Sequence, residues 1–133
     1  MKLILDSNAY TQLEGGNPEV THLVREAEEI LFSSVVAGEL LAGFRNGTRF
    51  AQNLNKLEAF LRRPRVSPLP VTWDTADRYG RIHTALRRKG RPIPSNDVWI
   101  AAHTMETGAY LVSFDAHFDD VDGLAWFHIG KTA

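Results

Sequence analysis

The sequence predicts an α/β fold built on a largely parallel sheet of about five strands. Short apolar runs alternate along the chain with stretches whose apolar residues recur at helical spacing. Two of those runs, Leu3-Ile4-Leu5 and Tyr110-Leu111-Val112-Ser113-Phe114, end in the same way, on an aspartate. No repeat or low-complexity linker breaks the alternation, and 133 residues suit one domain spanning 1–133.

Lys2 to Asp6 reads as a buried strand, an apolar run closed by a polar residue. Ser7-Asn8 is good helix-starting chemistry for a short helix to about Glu14, ended by Gly15-Gly16. Asn17-Pro18 opens a second helix, an N-cap followed by proline at the first helical position. Its apolar face is Val20, Leu23, Val24 and Ala27. Ile30 to Ser34 is the second strand. Val36 to about Arg45 is a helix with the stripe Ala37, Leu40, Leu41 and Phe44, closed by Asn46-Gly47. Thr48 opens the next helix, carrying Phe50, Leu54, Leu57 and Leu61, and Pro64 stops it.

Pro68 and Pro70 restrict Arg65 to Val71 to a short or edge strand. Thr72 to Lys89 is helical, with Gly90 as the stop. Ser95 is the expected N-cap of a helix that reaches Thr107, with Gly108 at its end. Ala109 to Ser113 and Leu124 to His128 are the last strands. Trp73 and Trp99 read as core residues.

Hydrophobic residues make up 44% and charged residues 23%, the balance of a soluble globular protein. The absence of cysteine excludes disulfides, thiolate metal sites and cysteine nucleophiles, and suits a reducing cytoplasm. The apolar start at Leu3-Ile4-Leu5 is too short for a signal segment. No stretch reaches the roughly 20 apolar residues of a membrane span, so no membrane association is expected.

Fifteen Lys+Arg against 16 Asp+Glu leave a net charge of −1, which does not by itself advertise a nucleic-acid partner. The cations are nevertheless clustered, as Arg62, Arg63 and Arg65, and as Arg87, Arg88, Lys89 and Arg91. The second cluster has two compatible readings: cations favoured at a helix C-terminus by its dipole, and contacts to phosphate.

In an open parallel sheet the functional crevice lies outside the carboxyl ends of the strands. Asp6 and Asp115 both end strands and share that edge if the strands are near neighbours. Asp97 lies in the first turn of a helix, where the dipole alone favours a carboxylate and where the helix can also point into the same crevice. Glu39 flanks an apolar stripe, with Ala42 and Gly43 leaving room beside it. An exposed glutamate beside a core stripe is the simpler reading of Glu39. At about 5 Å and an effective dielectric of about 20, each pair of negative charges repels by about 3 kcal/mol. Four converging carboxylates would therefore need a cation or retained protons. Carboxylate oxygens select hard ions such as Mg²⁺, which points toward phosphoryl chemistry.

Met1-Lys2-Leu3-Ile4-Leu5-Asp6-Ser7-Asn8, Ser33-Ser34-Val35-Val36-Ala37-Gly38-Glu39-Leu40, Ile93-Pro94-Ser95-Asn96-Asp97-Val98-Trp99-Ile100-Ala101-Ala102 and Leu111-Val112-Ser113-Phe114-Asp115-Ala116-His117-Phe118 together resemble the ordered motifs of PIN-domain proteins. The resemblance is greatest to the VapC-type toxins of bacterial toxin–antitoxin pairs and covers essentially the whole chain. It implies a three-layer α/β/α sandwich and an Mg²⁺- or Mn²⁺-dependent endoribonuclease. Asp6, Glu39, Asp97 and Asp115 would be its metal ligands and catalytic acids, with Ser7, Asn96 and Asp119 near the site. Ser7 stands where the family more often has threonine, and Phe114 where a polar or basic residue is frequent. In the family, water attacks the phosphodiester and leaves a 5′-phosphate. The resemblance also implies a homodimer and a cognate VapB-type antitoxin, with RNA (transfer RNA being a common target) as substrate. His117, close to Asp115, and the cluster Arg87, Arg88, Lys89 and Arg91 are candidate RNA contacts.

Other Mg²⁺-dependent phosphoryl-transfer folds fit less well. A haloacid-type phosphatase wants Asp-x-Asp after its first strand, where this chain has Asp6-Ser7-Asn8. A receiver domain wants paired early acids and a late lysine after a strand, and neither pattern is present. A non-toxin RNA-processing nuclease of the same family, or a catalytically silent RNA- or protein-binding module, are the remaining alternatives.

Overall fold

The computed structural model describes residues 1–130, so the last three residues of the expected 1–133 domain lie outside the described part. Five parallel strands, β1 (Lys2–Leu5), β2 (Glu29–Ser33), β3 (Val66–Leu69), β4 (Tyr110–Ser113) and β5 (Trp126–His128), form one sheet in the order β3-β2-β1-β4-β5. Between β1 and β2 lie α1 (Ser7–Glu14) and α2 (Pro18–Glu26). Between β2 and β3 lie α3 (Ser34–Asn46) and α4 (Phe50–Leu61), and between β3 and β4 lie α5 (Trp73–Lys89) and α6 (Ser95–Thr107). A 3-10 turn, Ala116–Asp120, joins β4 to β5.

The strand order reverses direction at β1. Right-handed crossovers then put α1 to α4 on one face and α5 and α6 on the other. Two adjacent β2 residues show the two layers, because successive side chains of a strand point to opposite faces. Phe32 packs edge-on against Tyr10 of α1 and Phe60 of α4, with ring centroids 5.9 Å away in each case. Its neighbour Ser33 meets the buried His103 of α6, hydroxyl to Nδ1 at 2.9 Å. His103 Nε2 lies 3.2 Å from the Pro70 carbonyl, and burial holds its pKa below the ordinary histidine value. The expected three-layer α/β/α sandwich is therefore present.

Leu3, Ile4, Leu5, Leu111 and Val112 are buried at the centre of the sheet, which explains why β1 and β4 read as continuous apolar runs. β3 carries Pro68 opposite Phe32 and lies at an edge, the one place where a proline without an N–H costs no ladder bond on its free side.

Several local expectations are corrected. Ser34 begins α3 rather than ending β2, because the Ser33 hydroxyl accepts from Val35 N–H at 3.1 Å and caps the helix. The buried residues of α3 are Val36 and Leu40, while Ala37, Leu41 and Phe44 are half-buried. Helix α4 starts at Phe50, not Thr48, and buries Leu57 and Phe60. Leu61, one residue on from Phe60, turns outward. Pro94 takes the N-cap position of α6, and Ser95 is its first residue, its hydroxyl 3.0 Å from that of Tyr79.

Trp73 is not core. It is 86% exposed at the first position of α5, because Thr75 is the first-turn residue that turns inward, to close a capping box with Thr72 and donate to Glu106. Trp99 is half-buried and stacks on Tyr79 at 4.1 Å. Phe60→Ala should therefore cost about 3–5 kcal/mol of stability, whereas Trp73→Ala should stay within about 0.5 kcal/mol. Paired urea titrations of the two variants check this contrast.

Candidate active site

The register of β1 and β4 brings the first two acids together. Leu5 opposes Val112, so the next residues, Asp6 and Ser113, meet at the carboxyl edge of the sheet. Asp6 is buried and caps α1: Oδ1 accepts from Ala9 N–H at 2.8 Å, and Oδ2 accepts from the Ser113 hydroxyl. Ser113 Oγ in turn accepts from the Asp115 backbone N–H at 3.0 Å. One serine thus ties the two strand-end aspartates together. It was not among the residues singled out from the sequence, although a serine two residues before a strand-end acid is a local turn-forming pattern.

Glu39 comes from α3 and Asp97 from the first turn of α6. Ser7 Oγ donates to Glu39 Oε1 at 2.8 Å, and Asn96 Nδ2 lies 3.3 Å from Glu39 Oε2. Two of the three residues expected near the site, Ser7 and Asn96, therefore orient Glu39. The third, Asp119, is exposed in the 3-10 turn and makes no hydrogen bond to the four acids among the described residues. Gly43 has open space where a side chain would begin, so crowding beside Glu39 does not dictate a small residue there.

His117 stands against two of the acids. Its Nδ1 is 3.0 Å from Asp115 Oδ2 and 3.3 Å from Asp97 Oδ2. One ligand atom from each of Asp97, Asp115 and His117 lies within 4.8 Å of the others. A cleft of about 310 Å³ lined by Asp6, Asn8, Phe114, Asp115 and Ala116 opens beside them.

The four carboxylates are linked through their charges. Burial, helped by the negative charges of Asp97 and Glu39, pushes the Asp6 carboxyl up to about 6 against the hydrogen bonds from Ser113 and Ala9. Burial also holds Asp97 above the ordinary carboxylate value. Asp115 and Glu39 add to that shift, and the hydrogen bond and charge of His117 oppose it. Among the described residues no lysine or arginine pairs with any of the four. A concentration of negative charge with oxygen donors and no lysine or arginine partner fits a hard divalent cation.

The basic residues are used differently. A guanidinium nitrogen of Arg65 donates to the Val24 carbonyl at 3.0 Å and also to that of Ala27, satisfying carbonyls at the end of α2. Arg63 lies over the Phe60 ring at 5.1 Å. Lys89 Nζ pairs with Asp122 at 2.9 Å and donates to the Asp120 carbonyl, fixing the end of α5 to the loop before β5. Arg87, Arg88 and Arg91 are exposed, and Arg87 lines a separate pocket with His83, Leu86, Pro92, Ile93 and Val98.

A parallel sheet in the order β3-β2-β1-β4-β5 with acids from β1, α3, α6 and the end of β4 defines a nuclease-like α/β class, and the sequence matches the PIN domain family over residues 3–124. The chain belongs to that family. It is 30% identical over 117 residues to "Ribonuclease VapC2" of Rickettsia felis, covering 85% of this chain and 86% of the relative. It is 26% identical over 131 residues to "Ribonuclease VapC1" of Haemophilus influenzae, covering 95% and 96%.

Among solved structures it resembles VapBC-1 from nontypeable H. influenzae, with a TM-score of 0.84 and 26% identity over 96% of this chain and 97% of that one. It also resembles VapBC2 from R. felis bound to a DNA fragment from their promoter, with a TM-score of 0.82 and 27% identity over 96% and 98%.

Removing one support of Glu39 should loosen the site without unfolding the protein, because Asn96 is exposed. Asn96→Ala is expected to weaken divalent-metal affinity by about 10–100-fold, the usual cost of losing a group that orients a ligand. Calorimetric titration with Mn²⁺ measures it.

Proposed function

We propose that this protein is a metal-dependent endoribonuclease and the toxin of a type II toxin–antitoxin pair, with a VapB-type antitoxin as partner. The observation that carries the reading is the convergence of Asp6, Glu39, Asp97 and Asp115 on one sheet edge, with no lysine or arginine partner among the described residues, in a chain of the PIN family whose relatives bear the name ribonuclease VapC. Asp6, Glu39, Asp97 and Asp115 would hold Mg²⁺ or Mn²⁺. When bound there, the ion would lower the pKa of a water and neutralise charge on the scissile phosphate.

The residues of the chain supply the rest. Ser113 and the N-terminus of α1 hold Asp6 in one rotamer, and Ser7 and Asn96 do the same for Glu39. The open cleft beside Asp6 and Asp115 admits a strand of RNA, and Phe114 on its wall offers a flat apolar face to a base. The hydroxyls of Ser7 and Ser113 donate to the acids that they orient, and the attack is assigned to water, with a 5′-phosphate product as in the family. Arg87, Arg88 and Arg91 remain free to contact phosphates, whereas Lys89 is engaged by Asp122. A homodimer and a cytoplasmic location complete the reading.

Expression in a bacterial host tests it. The parent protein is expected to arrest growth and fragment RNA, and co-expression of the antitoxin encoded beside it should restore growth. Arrest that persists with intact RNA, or that survives loss of the acids, would refute the assignment.

A further inference from the structure

His117 is the one imidazole against the four acids among the described residues. Its backbone N–H donates to Asp115 Oδ1 at 2.9 Å, which fixes the residue against the site. Its ring then directs Nδ1 between carboxylate oxygens of Asp115 and Asp97, at 3.0 and 3.3 Å. An octahedral ion with donors about 2.1 Å away has neighbouring donors about 3 Å apart. Nδ1 already has that spacing from one oxygen of each aspartate, and the three atoms, all within 4.8 Å of one another, come from α6, the cap residue after β4 and the 3-10 turn that it opens.

We propose that His117 is a ligand of the same ion as Asp97 and Asp115, giving Nδ1 to an otherwise all-oxygen site and tilting its preference from Mg²⁺ toward Mn²⁺. The inference rests on the metal-dependent reading above. Its physical basis is donor softness: imidazole nitrogen binds first-row transition ions well, while Mg²⁺ keeps to oxygen and retains its waters. A histidine in the shell therefore costs little Mg²⁺ affinity when removed and much Mn²⁺ affinity.

The test is Mn²⁺ bound to the purified full chain, read by pulsed electron paramagnetic resonance for coupling to a ligand nitrogen, with affinities for Mn²⁺ and Mg²⁺ measured by calorimetry. The parent should show imidazole nitrogen coupling. His117→Ala, at a half-exposed position that leaves the fold intact, should abolish the coupling and weaken Mn²⁺ binding by about 10-fold or more. Mg²⁺ binding should change much less, and His83→Ala, at an exposed histidine on α5, should change neither.

Mn²⁺ bound without nitrogen coupling, or coupling that persists in His117→Ala, overturns the inference while leaving metal dependence standing. His117 would then be only an imidazole hydrogen-bonded to two acids. Failure of the parent to bind Mn²⁺ at all overturns both.

Discussion

Asp97→Asn is expected to lower RNA cleavage by about 10²-fold or more, the scale set by removing one group that stabilises charge in a preorganised site. The substitution keeps the shape of the side chain and the start of α6, since Pro94 holds the N-cap position without a side-chain cap bond. What it removes is a negative charge at the meeting point of the site. Asp97 is adjacent to Asp115 through His117, and its charge is felt by Asp6. The loss should appear in kcat as well as KM, because a phosphate clamp that fails in the transition state is not restored by more substrate. Single-turnover cleavage of a labelled RNA at saturating protein reads this directly. An unchanged rate would remove Asp97 from the chemistry.

The second large effect is on stability and has the opposite sign. Asp6→Asn should stabilise the metal-free protein at neutral pH. Burial lifts the folded-state carboxyl to about 6 from an ordinary value of 3.8. A group whose folded pKa is raised contributes stability that is fully present below its unfolded pKa and is lost as pH rises through its folded pKa. Above pH 6 the parent therefore carries a penalty of about 3 kcal/mol from the ionised, buried Asp6. Asparagine escapes the penalty, keeps Oδ1 as an acceptor for Ala9 N–H, turns an Nδ2–H donor toward the Ser113 oxygen, and titrates nowhere.

Thermal melts in EDTA should show the variant above the parent by roughly 4 °C per kcal/mol at pH 7.5, with the gap closing below pH 4. Mg²⁺ should raise the parent and leave the variant nearly unmoved. A variant less stable than the parent at pH 7.5 in EDTA would show that Asp6 serves the fold more than the site.

The sheet was legible because its strands are buried on both faces and so read as unbroken apolar runs, and because Pro68 could sit only at an edge. The strand-end acids were legible for the same reason: a carboxylate closing a buried strand stands out. Helix faces were harder to read. Phe60 and Leu61 are both good core residues one position apart, and only the aromatic contact of Phe60 with Phe32 and Tyr10 decides between them.

Trp73 misled because size suggested burial, while a capping box using Thr72 and Thr75 faced the helix the other way. Glu39 could not be placed by spacing alone. Its position depends on Ser7 and Asn96, which lie 32 and 57 residues away in sequence. Ser113 was hidden because its role is a strand-pair relation, visible only once β1 and β4 are set in register.

The most direct measurement is cleavage of a defined RNA by the purified protein in Mg²⁺, in EDTA, and in Mg²⁺ with Asp6→Asn in its place. Fragments bearing 5′-phosphates should accumulate only with the parent protein and the metal together. Cleavage that continues in EDTA, or that Asp6→Asn performs at the parent's rate, would contradict the claim that these four acids form one metal-dependent nuclease site.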